Sequence, residues 1–121
     1  MQKFSFDTVL MSLNAADVHR LSFRPVLAEA YRQKMGVIAM KVTAQGRLLG
    51  RGKLSMAAAL GYVLSFPEVS TAIVGCQTPE EVAENADLAR RFIPFSPHEQ
   101  ERLEEITRPR AEDFNYFKRG D

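Results

Sequence analysis

Short apolar runs and stretches of three-four apolar spacing alternate along this chain, and each type occurs three times or more. Val9, Leu10, Met11 and Leu13 stand in near succession within Phe6 to Asn14, which predicts a strand buried on both faces. After a loop around residues 14–22, Pro25 can open a helix whose Val26, Leu27, Ala30 and Tyr31 keep helical spacing, and Gly36 is placed to stop it. Val37 to Val42 follows at once as a second strand, the usual short αβ connection. Thr43 to Lys53 carries three glycines and the charges Arg47, Arg51 and Lys53, which predicts a mobile, solvent-facing loop. Ser55 then caps a helix from Met56 to about Ser65, with Ala59, Leu60, Val63 and Leu64 inward, and Phe66 and Pro67 end it.

The segment from Val69 to Asn85, VSTAIVGCQTPEEVAEN, is the most informative. Ala72, Ile73 and Val74 form the apolar run of a strand near Ser70 to Val74 covered on both faces, and Gly75 permits a sharp turn. Thr78 as cap, Pro79 at the first helical position and Glu81 three residues after the cap form a capping box. The helix runs from Pro79 to Phe92, with Val82, Ala83, Ala86, Leu88 and Ala89 as its buried stripe. Ser96, Pro97 and Glu99 open a last helix with Leu103 and Ile106 inward, which Pro109 limits. The tail from Arg110 has no clear periodicity, but its rings Phe114, Tyr116 and Phe117 are expected to pack against something. A strand's carboxyl end meeting a helix amino end suits a phosphate group, because free N–H groups and the helix dipole converge there. The same signs also describe an ordinary βα turn.

Strands alternating with helices over short connections imply parallel pairing. Three parallel strands are too few to stand alone, since they leave edges and one face poorly covered. The chain therefore reads as part of a larger α/β structure, either a barrel or a doubly wound sheet. Its 121 residues suit one domain. The balance of 16 Lys plus Arg against 15 Asp plus Glu offers no basic excess for nucleic acid. Cys76 is the only cysteine, which rules out an intramolecular disulfide or a cysteine zinc site and suits a reducing cytoplasm. The first residues lack a secretory pattern and no segment approaches a membrane span, so a soluble cytoplasmic protein is expected.

Three blocks, FDTVLMSLN, GVIAMKVTAQGRLL, and VSTAIVGCQTPEEVAEN followed by FSPHEQERLEEI, resemble in order the sixth, seventh and eighth strands of the aldo/keto reductase barrel with their helices and carboxyl tail. The resemblance covers nearly the whole chain. It implies a partial (β/α)8 TIM barrel, three parallel βα units plus a C-terminal helix and tail, with residues 1–121 as the C-terminal part of the reductase domain. It also implies NADP or NAD as cofactor. By the resemblance the turn Gly75, Cys76, Gln77 and the residue Glu81 border the adenosine end, while Glu84 and Asn85 hold the adenine. A carboxylate and an amide near a helix start are chemically able to pair with an exocyclic amine. Lys41, Thr43 and Gly46 match the loop beside the pyrophosphate, where Lys41 can supply charge and Gly46 can allow close backbone approach.

Several positions depart from the family pattern. Where many members place a Lys, a Ser and an Arg around the 2′-phosphate, this chain has Gly75, Cys76 and Glu81, and Glu80 and Glu81 would repel a phosphate dianion. Glu81 also has a purely structural explanation in the capping box. Met40 stands where an aromatic usually stacks on the nicotinamide, and Leu10 where a Gln holds the carboxamide. The family's Asp, Tyr, Lys and His, with Tyr donating a proton as hydride reaches the carbonyl carbon, come from the first half of the barrel, and none of those motifs occurs in this sequence. His19, near Asp17, and His98 read as surface residues, and Tyr31 and Tyr62 as packing. No metal cluster is expected. The reading is thus the cofactor-binding portion of an NAD(P)H-dependent carbonyl reductase, inactive alone and without catalytic residues of its own. The alternative is a non-catalytic binding or assembly module. The expected partners are a nicotinamide dinucleotide and the missing barrel half or a second copy, with no nucleic acid and no membrane.

Overall fold

The computed structural model describes residues 4–118 and contains the expected α/β alternation. In chain order the main elements are β1 (Thr8–Ser12), α1 (Arg24–Arg32), β2 (Gly36–Met40), α2 (Met56–Leu64), β3 (Val69–Ala72), α3 (Pro79–Arg90), α4 (Pro97–Thr107) and the short α5 (Ala111–Phe114). The strands form one sheet in the order β1, β2, β3, and both pairings are parallel. β1 and β2 align from Thr8 opposite Gly36 to Ser12 opposite Met40. A register shift between Val37 and Ile38 sets Ile38 opposite Thr71. The ladder continues past the strand ends, with Leu13 N–H donating to Met40 O at 3.0 Å and Ile73 N–H to Ala39 O at 2.9 Å. Three consecutive parallel βα units, a C-terminal helix and a tail are the architecture the sequence implied.

The core lies between one face of the sheet and the helices. Met11, Val37 and Ala39 are buried there together with Leu27 and Ala30 of α1, Leu60, Tyr62 and Val63 of α2, and Leu103 of α4. Each large apolar side chain buried in this way contributes about 1.5–3 kcal/mol. The other sheet face is largely open, since Leu10 is 52% and Ile73 55% exposed. This corrects the expectation that the first and third strands are covered on both faces. One layer of helices covers one face of an arc of three strands and no more.

The helices depart from the sequence pattern in related ways. None of α3's residues is buried, and Val82, expected in its inward stripe, is exposed; only Leu88 packs partly on the core. In α4, Leu103 is inward as expected but Ile106 is exposed, as is Tyr31 on α1. An apolar stripe becomes core only where a second layer meets it.

Gly36 does not end α1. The helix closes two residues earlier, where Lys34 N–H donates to Tyr31 O and Met35 N–H to Ala30 O, with Lys34 itself at φ +58°. This is a Schellman closure made with lysine where glycine is usual. Gly36 is instead the first residue of β2.

The segment from Thr43 to Lys53 is solvent-facing at its glycines and at Arg47 and Arg51, as its composition predicts, but it also has inward anchors. Ala44 and Leu48 within it, and Leu54 just after, are buried in the core. The tail is also ordered, as a 3-10 turn over Arg108–Arg110, then α5, then a 3-10 turn over Tyr116–Lys118. Its anchor is a buried pair: Lys118 Nζ donates to Asp17 Oδ1 at 2.7 Å and to the carbonyls of Asp17 and Arg20. Both side chains of the pair are at most 2% exposed. Asp17 Oδ2 is in turn satisfied by Ser22 and by the Phe23 N–H. Asn115 Nδ2 donates to Ala16 O at 2.9 Å, and the Thr107 hydroxyl to Ala15 O at 3.0 Å.

Candidate functional site at the carboxyl ends of two strands

A groove of about 740 Å³ opens where β2 and β3 end. Lys41, Thr43 and Gly46 line one wall, and Gly75, Cys76, Gln77, Glu81, Glu84 and Asn85 line the other. All nine residues that the sequence singled out for cofactor contact therefore border one cavity. Met40, at the aromatic's place, lines it as well, whereas Leu10 is not among the lining residues. Gln45, Leu49 and Met56 also line the groove and carried no sequence signal. They sit in or just beyond a loop whose path follows neither helical nor strand periodicity.

The β3 wall is organised by the start of α3. The Thr78 hydroxyl accepts from Glu81 N–H at 3.2 Å, and the Glu81 carboxylate accepts from Gln77 N–H at 2.7 Å. The reciprocal box thus forms, with the carboxylate reaching the residue before the cap. Asn85 Nδ2 lies 3.3 Å from Cys76 Sγ, which ties the second turn of the helix to the Gly75–Gln77 turn. Glu81 is committed to this turn, in keeping with its structural explanation.

The β2 wall is built on unusual backbone. Lys41, Ala44 and Gln45 have φ of +57°, +50° and +59°, and Gly46 follows at +86°. Side chains other than glycine in this region cost about 1–2 kcal/mol each and persist where the surroundings fix them. Asn14, fully buried, donates from Nδ2 to Lys41 O at 3.0 Å, and Gly46 N–H donates to the Thr43 hydroxyl oxygen at 3.0 Å. At φ +86° Gly46 needs glycine's conformational freedom, and a Cβ there would meet no protein atom within 4 Å. Among the described residues Lys41 is the one cation lining the groove, against the two carboxylates Glu81 and Glu84.

The histidines and tyrosines lie outside this groove. His19 Nε2 is 2.8 Å from Glu104 O and 3.0 Å from the Thr107 hydroxyl, a half-buried bridge to α4 and not a surface position; Asp17 turns away to Lys118. His98 is exposed as expected. Tyr62 is buried, and its hydroxyl donates to Glu104 Oε1 at 2.7 Å while accepting from Arg24 Nη2 at 2.6 Å. Burial first, and the Glu104 hydrogen bond second, push its phenol well above the usual range. Among the described residues no group of three or more His, Cys, Asp or Glu side chains could hold a metal ion. No helix of the described residues is long and apolar enough to cross a membrane.

No protein-family model matches the chain, and no curated protein does. Among solved structures, it is similar to the aldo-keto reductase AKR11C1 from Bacillus halodurans in its holo form, with a TM-score of 0.68 at 15% sequence identity. That match covers 87% of this chain and 44% of the reductase chain, so the chain spans less than half the length of the protein it matches. The fold is accordingly that of part of a (β/α)8 barrel, similar to the one in that reductase.

Proposed function

We propose that this chain is the C-terminal, cofactor-binding portion of an NAD(P)H-dependent aldo/keto reductase, the parent activity being reduction of aldehydes or ketones to alcohols. The observation that carries this reading is the convergence of nine residues from two separate sequence blocks on one groove at the strand ends. In it, Glu84 and Asn85 face the adenine, the Gly75–Gln77 turn borders the ribose, and Lys41, Thr43 and Gly46 flank the pyrophosphate. Glu81 holds the turn. Among the described residues, one cation against two carboxylates is a poor host for an additional phosphate dianion, which favours NADH over NADPH. The bound cofactor would supply hydride. This chain's residues bind and orient it, and the proton donor belongs to the first half of the barrel, so the chain alone does not reduce carbonyls.

Calorimetric titration with NADH and NADPH tests the reading. Saturable binding, tighter for NADH and weakened about tenfold or more in Asn85→Ala, is expected; no heat with either dinucleotide would sink it.

A second reading, a non-catalytic assembly module, is favoured by the open inner face of the sheet around Leu10 and Ile73. A complementary set of strands, from the other part of such a barrel or from a second copy, would cover that face and the outer edges of β1 and β3. Carbonyl reduction by the chain on its own would overturn both readings.

A further inference from the structure

Four cations are spaced along residues 41–53, of which Lys41 alone lines the groove, and three rings are crowded into residues 114–117. Lys41, Arg47 and Lys53 each face one of these rings, and Phe117 is also faced by Lys118 from the tail itself. The Arg47 guanidinium lies 3.8 Å from the centre of the Tyr116 ring, Lys41 Nζ lies 5.9 Å from that of Phe117, and Lys53 Nζ lies 5.9 Å from that of Phe114. These distances are within the range in which a ring face attracts a cation, the first of them closest.

The two partners are unequal in firmness. The tail is fastened by the buried Lys118–Asp17 pair, by Asn115 and by the burial of Phe114. The segment it faces has left-handed backbone at Ala44 and Gln45 and at Gly46, Gly50 and Gly52. Backbone hydrogen bonds such as Leu48 N–H to Thr43 O at 3.1 Å and Leu54 N–H to Leu48 O at 2.9 Å close its turns, while the non-glycine residues Ala44 and Gln45 stay left-handed only where their surroundings fix them. Ala44 and Leu48 provide inward anchors, and Arg47 and Lys53 reach the tail rings.

We infer that the C-terminal tail is a positioning strap for the groove: its three rings hold the segment from Lys41 to Lys53 through its cations and so set the rim formed by Lys41, Thr43 and Gly46. Tyr116 and Phe117 are then positioning residues, and neither lines the groove. The consequence for dinucleotide affinity rests on the function proposed above. The consequence for the segment's mobility does not.

The test is a double-mutant cycle on Arg47→Gln and Tyr116→Leu, read by amide hydrogen exchange and by NADH titration. Arg47 is exposed, so its replacement leaves folding intact. Either change is expected to raise exchange in residues 43–53 several-fold while leaving β2 unchanged. The double variant should add little to either single one, and Tyr116→Phe should behave as the parent, since the ring and not the hydroxyl makes the contact. Additive effects, or unchanged exchange in residues 43–53, would overturn the strap whatever the dinucleotide does. Where exchange rises, a weakening of NADH binding of about threefold or more supports the link to the groove, and an unchanged affinity overturns that link. If the parent binds no dinucleotide, the proposed function fails while the exchange data still decide on the strap.

Discussion

At the scale of single residues, the backbone of Lys34 is at odds with its side chain. It closes α1 in a left-handed conformation at φ +58° and is exposed, so its side chain provides no burial to offset the strain. Lys34→Gly should stabilise the protein by about 0.5–1 kcal/mol, read as a higher urea midpoint with an unchanged slope. Tyr62 sets a second expectation, at high pH. Its folded pKa lies above the unfolded value of 10.0, so the folded state binds the phenolic proton more tightly. The stability this provides is fully present below that unfolded value and is lost as pH rises above it, by up to about 1.4 kcal/mol per pH unit. Denaturant unfolding followed across the alkaline range should show this fall. Phenolate absorbance should show one tyrosine ionising only as the protein unfolds, and ionisation of all three while it remains folded would contradict the assignment.

At the scale of elements, the connection between α3 and α4 is locked onto α2 through a position where only glycine fits. A Cβ on Gly61 would stand 2.5 Å from Phe95 Cζ. The Phe95 backbone is held in place, since its N–H donates to the Ser65 hydroxyl oxygen at 2.8 Å and that hydroxyl donates to Gly61 O at 2.6 Å, so relief must come from turning the ring. Gly61→Ala should therefore cost about 1–3 kcal/mol, and Phe95→Leu should recover part of that loss in the Gly61→Ala background. Thermal unfolding of the two single variants and the double variant checks both statements. The clash shows where the sequence was legible and where it was not. Capping signals are local, so the starts of α2, α3 and α4 at Ser55, Thr78 and Ser96 were readable, and all three side chains accept the expected N–H. The groove residues were named through the family resemblance of two blocks, of which Val69 to Asn85 is one continuous strand-turn-helix unit. The inward turn at Ala44, Leu48 and Leu54 was hidden, because the left-handed backbone at Ala44 and Gln45 comes from residues whose identity does not announce it. The Gly61–Phe95 contact joins residues that no periodicity links.

At the scale of the whole molecule, the sheet is finished on one side and open on the other. Alternation along each strand places Leu10 in a row with Ile38 and Thr71, and Ile73 follows two residues further along the same side. Leu10 and Ile73, at the two ends of this inner face, are each more than half exposed. Large apolar groups flanking strands with unpaired edges form a surface that is stabilised by contact with another chain. The molecule's long-range ties do nothing for this face, because Lys118 with Asp17 and Thr107 with Ala15 hold the tail and α4 against the loop after β1. The purified chain is accordingly expected to sediment above its 13.6 kDa monomer mass and to bind an apolar fluorescent dye. The double variant Leu10→Lys with Ile73→Lys should shift it to monomer and lower the dye signal. Both side chains lie outside the core, so the variant's melting temperature at low concentration should change little. A parent chain that is monomeric and dye-silent would mean that the inner face is tolerated in water, and would remove the main support for the assembly reading. A double variant that stays associated would place the contact elsewhere, with the outer edges of β1 and β3 as the next surfaces to alter.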